Sequence, residues 1–262
     1  MRVLVTFALP TEFAFWRKLH KFSRMRALPA GRDVERCPMF HARAGESDVI
    51  VALTGMGPVQ ARRAARYALQ CAPDVCISSG LAGAVKERYQ PGDVLAAVQV
   101  SEVRGKRVFP CEPALVDRAT SCGAHMVERF LTSPTVVVSA RAKQALSALG
   151  DAVEMESASV LAAASAVNIP AIAIRVVSDG ASQDLPLDLN RVFSARGSVR
   201  PIRLLGSLAA EPGSLPGLLK LAGATRRAAS GLAEFLDRYI AALAENGSRR
   251  TAPSGGEGKR TS

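Results

Sequence analysis

Val153-Glu154-Met155-Glu156-Ser157, followed at a distance by Ile172-Ala173-Ile174-Arg175-Val176-Val177-Ser178-Asp179, decides the fold. The first stretch reads as a strand edge running into a helix. Residues 171–177 are apolar apart from Arg175, and β-branched enough for a strand buried on both faces. Asp179 falls just past the carboxyl end of that strand, where open α/β sheets place their ligand chemistry. Glu156 falls at the mouth of the preceding helix. Each residue alone has a plain structural explanation. Glu156 suits the positive end of a helix dipole, Asp179 suits a loop cap, and Arg175 suits an ion pair with either. Together, two carboxylates and an inward arginine on one sheet edge suit chemistry on a polar ring such as a ribose.

Outward from this block, strand and helix alternate, the mark of an α/β fold. Strands are expected over residues 2–7, 49–53, 75–78, 94–100 and 136–139. Helices are expected over 12–19 (capped by Thr11), 58–69 (Pro58 in the first turn), 114–121, 140–149, 157–167, 215–221 and 225–243. Residues 24–47 read as loop with a weak strand. Residues 1–244 are expected to form one three-layer α/β/α domain around a central mixed, mostly parallel twisted sheet. Residues 245–262, rich in Gly, Ser, Arg and Lys, read as a disordered basic tail.

With 262 residues, 48% of them apolar, the chain can bury one large core. No apolar run reaches the ~18 residues of a membrane span. Pro10 and Glu12 interrupt the apolar start, so no signal peptide is expected. Five cysteines without a Cys-x-x-Cys pair, and three histidines, point to reduced cytoplasmic thiols and to no metal or other cofactor. The net charge of +11 is not gathered into a stripe interleaved with aromatics, which are 5% of the chain, so no nucleic-acid partner is expected. A solvated basic surface and peripheral contact with the inner membrane face both remain open. Phe13, Phe15, Trp16 and Phe22 are core or dimer contact, or else line a cavity for an apolar substrate tail.

The motifs resemble those of the purine nucleoside phosphorylase and nucleosidase superfamily. Glu154-Met155-Glu156 and Arg175-Val176-Val177-Ser178-Asp179 are similar to the acidic block and the Arg-x-x-Ser-Asp strand end of methylthioadenosine/adenosylhomocysteine nucleosidases. Residues 2–8 resemble their first strand, and Glu12 falls where they carry an acid. Thr54-Gly55-Met56-Gly57, Ser79-Gly80-Leu81-Ala82-Gly83 and Pro91-Gly92-Asp93-Val94 are similar to their glycine turns and Gly-Asp-Val segment. Leu185-Pro186, residues 192–200 and residues 211–219 resemble the hopanoid-associated branch, which removes adenine from adenosylhopane.

The resemblance implies a nucleoside phosphorylase-like fold, a homodimer, and cleavage of an adenine–ribose bond without a cofactor. Asp179 is then the acid that protonates the departing base, and it needs an apolar setting to stay protonated. Glu156 is the anion beside the ribose hydroxyls, and Glu12 holds and deprotonates the attacking water. Arg175 positions water and carboxylates, while Met155, Ser178, Gly80 and Leu81 line the sugar and base. Water is preferred over phosphate as nucleophile because residues 7–11 lack an arginine, Leu81 replaces a hydroxyl, and Glu12 would repel a dianion. An arginine from a neighbouring subunit, Arg43 for instance, would reverse that preference. Val138-Ser139-Ala140 departs from the family, which places a phenylalanine against adenine there. The rival readings are phosphorolysis, methylthioadenosine/adenosylhomocysteine hydrolysis, and a nucleoside or lipid sensor without turnover.

Overall fold

The computed structural model describes residues 1–28, 37–188, 190, 213 and 215–250. Its strands are β1 (Arg2–Phe7), β2 (Ser23–Arg24), β3 (Met39–Ala44), β4 (Ser47–Leu53), β5 (Val75–Ser78), β6 (Leu81–Ala84), β7 (Val94–Glu102), β8 (Val108–Pro110), β9 (His125–Thr132), β10 (Ala152–Glu154) and β11 (Ala171–Asp179). Its α-helices are α1 (Pro10–Leu19), α2 (Pro58–Ala68), α3 (Pro113–Ser121), α4 (Ala140–Leu146), α5 (Ser157–Ser165) and α6 (Leu215–Arg250). The strands form one mixed sheet in the order β2-β3-β4-β1-β5-β11-β6-β10-β9-β7-β8. This is the nucleoside phosphorylase-like α/β architecture the motifs imply.

β11 organises the sheet. Eight of its nine residues are buried, Ser178 being the partly open one, which is why the sequence is a nearly unbroken apolar run. Its first residues pair in parallel with β5 and its last with β6. Its middle pairs antiparallel with β7. Because β6 continues to β10, β10 to β9, and β9 to β7, the pairing returns to β11 and closes a small barrel on one side of the sheet. The sheet is therefore not open throughout, as the sequence pattern suggested. β5 and β6 are two halves of one strand, broken at Ser79-Gly80 where the chain leaves β1 and joins the barrel.

The helices form two groups. α2 packs on α5, and α5 packs on β5 and β7; α6 touches α1 and α3 and lies along β11. Of the aromatic residues near the start of the chain, Phe13, Trp16 and Phe22 prove to be core, while Phe15 is partly exposed and packs against it. Phe7, Phe13, Trp16 and Phe22 are buried and in mutual ring contact.

Several local expectations are corrected. α1 starts at Pro10, not after a Thr11 cap; proline presets the first helical φ, and the Glu12 carboxylate reaches back to the Leu9 N–H at 2.8 Å. β9 is a full strand where none was expected, because charged residues interrupt its apolar alternation. Residues 136–139 are extended but belong to no strand, their bonds going to Leu185 and Asn190 instead of a sheet neighbour. The two C-terminal helices are one, α6, which runs to Arg250, past the expected end at 243. The rest of the basic tail, and residues 192–200 and 211–212 of the hopanoid-like segments, lie outside the described residues.

Gly80 sits at the β5–β6 break with φ +142°, and a Cβ there would lie 2.8 Å from Glu12 Oε1. Gly80→Ala is expected to cost about 1–3 kcal/mol of stability through backbone strain and displacement of the carboxylate. Chemical denaturation would measure it, and a neutral result would mean that the break is not constrained.

Candidate active site

Glu154, at the end of β10, is the hub of the acidic block. It is 5% exposed and accepts from four donors. Thr132 Oγ1 bonds Oε1. Oε2 takes the Glu156 N–H at 2.8 Å, the Ser157 N–H at 2.7 Å and Arg175 Nη2 at 2.7 Å. Two of these donors belong to the start of α5, so the carboxylate satisfies the free amides of a helix N-terminus. Arg175 and these hydrogen bonds outweigh burial and hold Glu154 below the ordinary glutamate range.

Glu156 is the N-cap residue of α5. Its Oε1 accepts the Gly57 N–H at 2.8 Å, and its Oε2 lies 3.8 Å from Arg175 Nη2. Gly57 reaches it because the Gly55-Met56-Gly57 turn carries positive φ at both glycines. Burial, then the neighbouring Glu154 charge, push the Glu156 carboxyl up to about 8. The anion expected beside the ribose therefore forms less readily here than at an exposed glutamate.

Glu12 projects from α1 toward the β5–β6 break. Oε2 accepts from Leu9 N, and Oε1 from Leu81 N at 3.0 Å. Its carboxyl is raised above the ordinary value by burial, although those amides and Arg175 pull the other way. Arg175 is 1% exposed, with Nη2 also 3.3 Å from Ser78 Oγ. It stands behind Glu154 and Glu156, pairing the acids and not facing the cavity.

Asp179 closes β11. Ser178 Oγ lies within hydrogen-bond reach of both Asp179 Oδ1 and Ala82 O. On Oδ2 sits the Lys143 ammonium, fully buried. The expectation of an apolar setting for Asp179 is thus overturned: its partner is a cation donated by α4. Lys143 was missed in the sequence, where its one signal is a lysine three residues before Leu146 on the inward face of a short helix.

Glu12, Glu154, Glu156, Met155, Leu81, Ser178 and Asp179 all border one cavity of about 580 Å³. Gly80 and Arg175 stand behind this wall. Among the described residues, no lysine or arginine lines the cavity, and Arg43 is exposed on β3. Much of the remaining wall is apolar: Leu9, Pro10, Val136, Val137, Leu185, Leu218 and Leu221. Phe13, Phe15, Trp16 and Phe22 are not part of it. Among the described residues, no helix is long and apolar enough to cross a membrane.

Two changes test the electrostatics. Glu154→Gln leaves Arg175 buried without its main counter-charge, and should cost about 3–5 kcal/mol in a denaturant titration. Glu156, near 4.5 when unfolded and about 8 when folded, contributes stability that is complete below pH ~4.5 and lost as pH rises through about 8. Glu156→Gln should therefore flatten the fall in melting temperature between pH 6 and 9; an equally steep fall would contradict the assignment.

The chain overlays solved structures at low identity. Helicobacter pylori futalosine hydrolase (a mutant) matches with 16% identity and a TM-score of 0.67, covering 92% of this chain and 99% of that one. S-adenosylhomocysteine nucleosidase of Streptococcus pyogenes, in complex with 5-methylthiotubericidin, matches at 16% and 0.69, covering 92% and 96%. The 5′-methylthioadenosine/S-adenosylhomocysteine nucleosidase of S. pneumoniae, with a transition-state inhibitor, matches at 18% and 0.69, covering 93% and 100%. No curated protein sequence matches significantly. The model of the phosphorylase superfamily matches residues 2–210. With its fold and its carboxylate-lined cavity, this chain belongs to the phosphorylase superfamily, as an enzyme of the nucleosidase or phosphorylase kind.

Proposed function

We propose that the chain hydrolyses the N-glycosidic bond of an adenine nucleoside whose ribose carries a large apolar 5′ substituent, adenosylhopane being the substrate the sequence resemblance favours. The observation that carries this reading is the gathering of Glu12, Glu156 and Asp179 on one cavity with an apolar upper wall.

As the C–N bond stretches, its electron pair moves to the base, and the Asp179 carboxyl gives its proton to a ring nitrogen. The sugar becomes oxocarbenium-like. Glu156 binds the ribose hydroxyls and, once ionised, stabilises that positive charge. Water attacks C1′ from the other face and passes a proton to Glu12, a stronger base than an exposed glutamate because it is buried. Met155 and Ser178 flank sugar and base, and Leu81 forms apolar wall beside Glu12.

Water is favoured over phosphate by what occupies the loop amide. Leu81 N–H, a donor that could serve a phosphate, is taken by Glu12, and no cation lines the cavity among the described residues. The apolar wall supports a 5′ substituent larger than a hydroxyl. On α6, Leu215 (49% exposed) and Leu219 (67% exposed) face outward beside the lining residues Leu218 and Leu221. With the net charge of +11, this favours contact of the cavity mouth with an anionic membrane face, as a lipid-linked substrate would require. A homodimer belongs to the same reading.

The test is release of adenine from adenosine, methylthioadenosine and adenosylhopane, with and without phosphate. Release from adenosylhopane without phosphate is expected, with Asp179→Asn at least ~100-fold slower. A strict phosphate requirement would replace hydrolysis by phosphorolysis, and an unaffected Asp179→Asn would remove the acid. Leu221→Gln should raise KM for the lipid nucleoside by about tenfold while sparing adenosine; equal losses on both would remove the apolar subsite.

A further inference from the structure

We propose that Lys143 is a positioning residue for Asp179: its buried ammonium fixes that carboxyl and stabilises the negative charge left when the proton passes to the departing base. The inference rests on the base-releasing reading above.

Three observations carry it. Lys143 is completely buried on a seven-residue helix, where an ammonium is costly unless fully engaged. All three of its donors are used: one on Asp179 Oδ2, one on Gly180 O at 2.9 Å and one on Gln183 O at 2.8 Å. A single side chain thus ties the acid to the loop that leaves β11. The fold also keeps space for the pair. At Gly83 on β6 a Cβ would lie 3.0 Å from Asp179 Oδ2, tighter than ordinary contact.

The chemistry follows from charge. The step starts once Asp179 has taken up a proton from solvent, a form that the ammonium makes scarcer than an apolar setting would. As the C–N bond breaks and the proton moves to the base, Asp179 becomes an anion at hydrogen-bond distance from a cation already in place. That cation need not reorganise, so the interaction strengthens along the reaction coordinate and lowers the barrier. The leaving base departs with the proton, and the Lys143–Asp179 ion pair is the product state. Lys143 itself exchanges no proton in this step.

Other charged groups on the surrounding elements are otherwise engaged or lie across the cavity. Glu12, Glu154 and Glu156 hold the hydrogen bonds described above. Asp184 accepts the Ala140 N–H at the start of α4, Glu87 accepts from Ser182, and Lys86 pairs with Asp151. Arg141, beside Lys143 on α4, lines a separate cleft with Lys86 and Glu87.

The test compares Lys143→Gln, Lys143→Arg, Asp179→Asn and the double variant Lys143→Gln/Asp179→Asn on the same adenine nucleoside, with folding checked by circular dichroism. Lys143→Gln should lower kcat by about 10–100-fold with KM changed less than about threefold. Lys143→Arg, which keeps the charge, should recover most of that loss. The double variant should be no more than about twofold slower than Asp179→Asn alone, because Lys143 works through Asp179. Wild-type kcat in folded Lys143→Gln, or a further tenfold loss in the double variant, would overturn the inference.

A second measurement does not depend on turnover. In protein labelled with 13C at aspartate carboxyls, the resonance absent from Asp179→Asn should change its chemical shift in Lys143→Gln, or in Lys143→Met if Lys143→Gln does not fold, and stay near its wild-type position in Lys143→Arg. An unmoved resonance in the charge-removing variant overturns Lys143's role; a moved resonance in a protein that releases no base overturns the enzymatic reading instead.

Discussion

The site depends on a single buried carboxylate. Glu154 collects two backbone amides, a threonine hydroxyl and the Arg175 guanidinium, and it does so with almost no exposure to water. A charge in that position is tolerable only because its hydrogen bonds replace solvent in full. Its partners fix three things together. The amides set where α5 begins, Thr132 ties β10 to β9, and Arg175 anchors the middle of β11. β10, which leads into Glu156, and β11, which ends at Asp179, are therefore both tied to the one carboxylate. A slip of one residue in either strand would turn the acids to the opposite face of the sheet.

That arrangement also decides how charge is shared. Arg175 can neutralise one close carboxylate fully, and Glu154 is 2.7 Å away where Glu156 is 3.8 Å away. The nearer acid stays ionised, and the farther one, facing a like charge in a dry setting, is driven up toward neutral pH. The Lys143–Asp179 pair repeats the device at the other end of the cavity. The fold thus supplies two buried cations to a wall lined by four carboxylates, and keeps both cations out of the cavity itself. Among the described residues, the cavity is bordered by carboxylates, by the hydroxyl residues Thr11, Thr135, Ser178 and Thr225, and by apolar side chains. Carboxylates so placed support the proposed chemistry, in which a sugar gains positive charge.

The sequence made the centre of this legible and the edges less so. β11 could be read because burial on both faces demands a continuous apolar run, and Arg175 stood out as the one exception in it. Glu156 and Asp179 could be read because each sits at a strong local boundary, a helix start and a strand end, whereas Glu12 was singled out through the family resemblance. Lys143 could not, since a lysine in a short helix ordinarily faces water, and nothing local reveals that α4 turns it inward onto β11. Thr132 shared that fate, because β9 mixes Glu128 and Arg129 into its pattern and lacks a clean period of two. The closed barrel was hidden for a related reason. Whether β7 returns to β11 depends on contacts between distant segments, which local pattern does not carry. Phe13, Trp16 and Phe22 had two readings open, and packing against Phe7 decided for core.

The β5–β6 break joins the architectural and the chemical arguments. A continuous strand through residues 75–84 would keep one sheet partner along its whole length. The turn at Gly80 lets its first half pair with β1 and its second with β10, and this is what opens the barrel onto the sheet. The same turn frees the Leu81 N–H from any strand and aims it at Glu12. An amide released in this way needs an acceptor, and either a carboxylate from the protein or an anion from solution can serve. In this chain Pro10 starts α1 early enough to place Glu12, at the third helical position, directly over the missing Cβ of Gly80. The acceptor in this chain is the Glu12 carboxylate. The preference proposed for the nucleophile thus traces to a helix start and a glycine, two features chosen by backbone geometry before any ligand is considered.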